Sequence, residues 1–86
     1  MQINNLIKII RSKLEVNFKI DSVIIEDKSF LHMKHKFFNK KKFHIKLTIN
    51  SPDLKNINKV TANRKIYKIL ENEIKKNIHS LQIIII

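Results

Sequence analysis

Four histidines and seven carboxylates are the groups in this 86-residue chain with the chemistry to hold a metal or exchange a proton, and there is no cysteine beside them. His79 lies in NIHSLQIIII, residues 77–86, where a helical pattern hands over to a β-branched run. His44 lies in FHIKLTIN, residues 43–50, while His32 and His35 lie in the loop between two strand-like stretches. An imidazole at a helix end is titratable and metal-capable, but it is equally a partner for the helix dipole or a plain surface group. The absence of cysteine excludes a disulfide framework, a zinc ribbon, a thiol nucleophile and any cluster held by the chain's own thiolates. It is compatible with a reducing compartment. Asp27 and Ser29 do not complete a hydrolase, because the chain has neither a nucleophile elbow nor a glycine for an oxyanion loop. The carboxylates form no pair suited to glycosidase or two-metal chemistry. The expectation is a protein that is not an enzyme.

These side chains must be positioned by few elements. Ile3, Ile7, Ile10 and Leu14, spaced four, three and four apart, predict an amphipathic helix over 3–18 with Lys8 and Lys13 off its apolar face. SVIIED, residues 22–27, predicts a first strand. In residues 43–50, Phe43, Ile45, Leu47 and Ile49 alternate with His44, Lys46, Thr48 and Asn50, which is the period of a strand with one buried face. Ser51 and Pro52 then read as an N-cap and first helical residue of a single turn reaching Leu54. Thr61 is expected to cap a second long helix with Ile66, Ile69, Leu70, Ile74 and Ile78 inward, ending near Asn77. A last strand from about Ser80 to Ile86 lacks polar alternation, which suits burial on both faces or a truncated edge.

The order is helix, strand, strand, helix, strand. The first two strands pair antiparallel across the loop of residues 28–42, and the second helix is a crossover that makes the third strand parallel to the second. The expected fold is therefore α+β, a three-stranded mixed sheet with both helices on one face, in a single domain over residues 1–86. His44 falls on the polar face of its strand and is expected to act as a structural hydrogen-bond partner across the sheet.

The net charge of +11 would ordinarily direct attention to nucleic acid or an anionic surface. Lys, Ile and Asn, however, make up about half of the residues while Gly is absent, the mark of an AT-rich coding sequence. All but two of the eighteen basic residues are Lys, which supplies charge without the bidentate fork of Arg. No apolar run has the length of a membrane span and no signal peptide is visible, so the chain is expected to be soluble and cytoplasmic.

Three stretches resemble the BolA family. EDKSFLH, residues 26–32, is similar to its D-x-S-x-x-H segment at Asp27, Ser29 and His32; HIKLTINS, residues 44–51, is similar to its H-F-x-x-x-I-V-S strand at His44, Ile49 and Ser51. NRKIYKILENEIKKNIHSL, residues 63–81, keeps the family's spacing at Arg64, Ile66, Tyr67, Leu70, Glu73, His79 and Leu81. The chain departs from the pattern in having no glycine turn before the second strand and a longer loop when counted from His32, and it is expected to lack the polar and aromatic tail of many members. Counted back from His44, His35 takes the loop-histidine place, so that position is open between His32 and His35.

The resemblance implies a class II KH-like, BolA-like fold and a protein that pairs with a monothiol glutaredoxin to share a [2Fe-2S] cluster. His79 is then one ligand and His32 or His35 the second. The chain has only imidazoles to offer in place of two thiolates on one iron, so the partner's cysteine and a bound glutathione must complete the set. It would be a monomer alone and a heterodimer with its partner. Neutral imidazole is the ligating form, so cluster binding is expected to weaken as pH falls. Some members of the family are DNA-binding transcription regulators of stress response and cell morphology. For that role Arg64, Lys65, Lys68, Lys75 and Lys76 are the residues placed to meet phosphates, although a chain without glycine cannot build the GxxG clamp of KH domains.

Overall fold

A computed structural model of the chain describes residues 1–29 and 42–86. Helix α1 (Ile3–Asn17) is followed by strands β1 (Ser22–Asp27) and β2 (Phe43–Asn50), the short helix α2 (Pro52–Lys55), helices α3 (Lys59–Ile69) and α4 (Glu71–Lys76), and strand β3 (Ile78–Ile85). The sheet order is β1-β2-β3. β2 runs antiparallel to β1, from Ser22 opposite Asn50 to Asp27 opposite Ile45, and parallel to β3. The α+β architecture expected from the pattern is the one observed.

Alternation along β2 decides which face is covered. Ile45, Leu47 and Ile49 are buried with Leu6, Ile10 and Leu14 of α1 and with Ala62, Ile66 and Leu70 of the crossover. On the opposite face Ile24 is 55% exposed, and none of the described helices lies on that side of the sheet. The innermost stripe of α1 is Leu6, Ile10 and Leu14, spaced i, i+4, i+8, with Ile3 and Ile7 at its flank. Among the described strands β3 pairs with β2 alone and forms an edge, which accounts for the partial exposure of Ile83, Ile84 and Ile85. It begins at Ile78, two residues before the expected start.

Two local expectations are corrected, and the Ser51–Pro52 helix start is met in position. Asn58, not Thr61, caps α3: its side chain accepts the Thr61 amide at 2.8 Å, the geometry of an N-cap with the third helical residue. The crossover is two helices with a break at Leu70, although the Leu70 amide still bonds to the Ile66 carbonyl and the Ile74 amide to the Leu70 carbonyl. Ser51 occupies the N-cap position of α2, but its hydroxyl makes no capping bond. That hydroxyl is buried and donates to the Lys19 carbonyl at 2.6 Å, while Asp53 accepts the Lys19 amide at 2.8 Å. The segment after α1 is thereby fastened to the end of β2.

Glu73 on α4 is buried, and the Lys13 ammonium of α1 lies 2.7 and 3.0 Å from its two carboxylate oxygens. A carboxylate withdrawn from water requires such a cation, since its desolvation is otherwise uncompensated. Lys13→Met is expected to cost about 2–3 kcal/mol, the loss of a hydrogen-bonded charge pair in a largely buried place. A lowered urea midpoint at unchanged slope would measure it, and a midpoint equal to the parent's would show the pair to be neutral.

Candidate functional site: a histidine on a strand irregularity

The start of β3 is irregular, and the irregularity centres on His79. Phe43 of β2 stands opposite Ile78, but the next residue, His44, stands opposite Ser80, so His79 has no partner on β2. In a regular strand, residues 79 and 80 would point to opposite faces of the sheet. An inserted residue removes that alternation and re-aims the side chains beside it. Here both neighbours meet the same group: the Ser80 hydroxyl lies 2.6 Å from His44 Nδ1, and the His79 ring centroid lies 4.8 Å from that of His44, with the planes tilted by 35°.

The helix-to-strand junction holds the backbone on both sides of His79. The Asn77 amide bonds to the Glu73 carbonyl, closing α4, and the Asn77 carbonyl accepts the Phe43 amide at 2.8 Å. His79 is exposed, and among the described residues nothing hydrogen-bonds its ring. His44 is buried at 7% exposure. The expectation that His44 is a hydrogen-bond partner across the sheet is met, although it is less solvated than a polar-face position suggests.

Asp27 and Ser29 hold the backbone of His44. Asp27 Oδ1 accepts the Ser29 amide at 2.9 Å, and Ser29 Oγ accepts the His44 amide at 3.1 Å. The Lys28 amide donates to the His44 carbonyl at 2.7 Å. β1 has ended at Asp27, so the serine hydroxyl supplies the acceptor that a further strand residue would otherwise have provided. The D-x-S spacing thus prolongs the β1-β2 ladder by one bond and fixes the backbone of His44.

His32 and His35 lie outside the described residues. Among the described residues no group of three or more His, Cys, Asp or Glu is assembled for a metal ion. Among the described residues, the imidazoles gathered at this end of the sheet are those of His44 and His79, a set that would hold a metal only together with further ligands. The basic residues singled out for nucleic acid are all exposed, with Arg64, Lys65 and Lys68 on α3 and Lys75 and Lys76 on α4. No helix among the described residues is long and apolar enough to cross a membrane.

Two features were not visible in the linear pattern. The strand irregularity left no mark of its own, since NIHSLQI reads as an ordinary run. Ser80 could have been found only by pairing it with His44, which requires the register of β2 against β3.

Comparison with known proteins follows the same path. The family model described as "BolA-like protein" matches residues 14–86. A protein of Haemophilus influenzae named DNA-binding transcriptional regulator BolA is 35% identical over 74 residues, covering 86% of this chain and 69% of the relative. Among solved structures, the BolA domain of SufE1 from Arabidopsis thaliana superposes with a TM-score of 0.78 at 28% identity, over 99% of this chain and 92% of that one. BolA1 from the same plant gives 0.74 at 26% identity, over 88% and 83%.

Proposed function

The chain belongs to the BolA family of BolA-like proteins, and from that premise we propose that it is a non-enzymatic partner of a monothiol glutaredoxin, with which it binds, transfers or senses a [2Fe-2S] cluster in iron-sulfur assembly and iron homeostasis. The observation that carries this reading is the exposed His79 ring, held at a helix-to-strand junction with no hydrogen bond from the described residues to occupy its nitrogens. A rigid backbone with an accessible side chain is what a ligand donated across an interface requires. His79 supplies one imidazole and His32 or His35 the second. The glutaredoxin cysteine and glutathione supply the thiolates that a cysteine-free chain lacks.

Anaerobic reconstitution of this chain with a monothiol glutaredoxin, glutathione, iron and sulfide tests the proposal. The expected product is a heterodimer whose visible circular dichroism differs from that of the glutaredoxin homodimer. An unaltered homodimer spectrum at every ratio of the two proteins would overturn the reading.

A second reading is favoured by the name of the Haemophilus influenzae relative and by the exposed Arg64, Lys65, Lys68, Lys75 and Lys76. On it, the chain regulates transcription in stress response and cell morphology by binding DNA. Affinity should then fall steeply with salt while a preferred sequence still outcompetes random DNA. Loss of all preference would leave only the attraction of a polycation.

A further inference from the structure

The His44 side chain is the one group at this site that the ligand reading leaves unassigned. Its position is specified from three directions. Ser29 and Lys28 hold its backbone amide and carbonyl, Ser80 holds Nδ1 at 2.6 Å, and the His79 ring lies against it with centroids 4.8 Å apart. The register skips a residue at His79, which puts Ser80 rather than His79 opposite His44 and leaves both positions 79 and 80 beside that one neighbour. A buried imidazole tied to the strand that carries its exposed neighbour does not itself need to reach solvent to act.

We infer that His44 is a positioning residue for His79: anchored by Ser80, its buried ring is the surface against which the exposed imidazole is held in one orientation. This inference rests on the ligand reading above for its purpose, but not for its geometry. An exposed histidine ordinarily samples several χ1 wells on the picosecond-to-nanosecond scale, and each well would aim the donor nitrogen differently at an incoming partner. Packing against a fixed ring selects one well before the partner arrives, so less ordering remains to be done on binding. Groups behind a metal ligand that fix its orientation are typically worth about 10–100-fold in metal affinity.

The test has two readouts. In the free protein, three-bond couplings of isotope-labelled His79 report its χ1 populations. Wild type is expected to show one dominant rotamer, and both His44→Ala and Ser80→Ala to show averaging, with the amide spectrum of the core unchanged. Ser80 is exposed, so its substitution tests the anchor even where loss of His44 unfolds the sheet end. His44→Phe keeps a ring but cannot bond to the Ser80 hydroxyl, and is expected to show the same averaging as Ser80→Ala. A single His79 rotamer persisting in Ser80→Ala and in folded His44→Ala overturns the inference.

In the reconstituted heterodimer, Ser80→Ala is expected to require about tenfold more of this chain to reach half-conversion of the homodimer spectrum. His79→Ala is carried in parallel. If His79→Ala converts the spectrum as wild type does, the ligand reading fails and the rotamer measurement still decides the role of His44. If His79→Ala fails to convert while Ser80→Ala converts as wild type, the ligand reading stands and the positioning role falls.

Discussion

His79→Ala is expected to abolish the heterodimer's visible dichroism, leaving the spectrum of the glutaredoxin homodimer at any amount of added variant. The effect follows from ligand count. A [2Fe-2S] cluster has four protein or thiol ligands, and a chain with no cysteine contributes through imidazole alone. On the proposed reading, loss of the exposed ring at the start of β3 would leave the cluster to the thiolates of the glutaredoxin homodimer. Substitution of an exposed side chain is expected to change stability by about 0.5 kcal/mol, so the fold should survive it. Equal urea midpoints for parent and variant would confirm that the fold is intact. The same experiment on His32→Ala and His35→Ala, one at a time, identifies the second imidazole as the one whose removal gives the next largest change.

Leu47→Ala is expected to be the most damaging of the conservative core truncations. Leu47 has no exposed surface and sits at the middle of the central strand, with Ile25 opposite it on β1 and Ile83 on β3. Neighbours on both sides are held by ladder hydrogen bonds, so the sheet cannot collapse into the space left behind. Substitutions of this kind cost about 2–5 kcal/mol through lost transfer energy and a residual cavity, and a site this constrained belongs in the upper half of that range. A chain of 86 residues has a total stability of about 5–10 kcal/mol. The variant should therefore melt far below the parent or fail to fold. The adjacent Thr48 provides the contrast, since its side chain lies on the open face. Thr48→Ala is expected to leave the midpoint within about 0.5 kcal/mol of the parent. A Leu47→Ala variant as stable as Thr48→Ala would mean that the covered and open faces have been assigned the wrong way round.

The parts of the fold that were legible are those governed by local periodicity. Perfect alternation over residues 43–50 and the β-branched run over 22–27 placed β1 and β2 at the residues where they are found, because a strand with one buried face imposes a period of two on the chain that forms it. The spacing of Ile3, Ile7, Ile10 and Leu14 located α1 but not its deepest side, since Leu6 shares the stripe and only packing against the sheet shows which edge of an apolar face points inward. Topology was also legible. A short antiparallel pair followed by a helical crossover leaves few arrangements of three strands, and the right one was the simplest.

What the chain alone did not disclose are hydrogen bonds between residues far apart in sequence. Ser51 carried the signature of a helix cap, yet its hydroxyl bonds to Lys19, 32 residues earlier. Nothing in ENEIKK marks Glu73 as buried, because its burial depends on Lys13, 60 residues away. His79 was recognisable as a candidate from its family spacing and its place at a helix end, and its exposure follows from that place. The grouping of Ser29, His44, Ser80 and His79 was decided only by tertiary structure. It depends on the register between β2 and β3 and on one residue left out of that register, and register is set by how whole strands bury their faces rather than by any short run of residues.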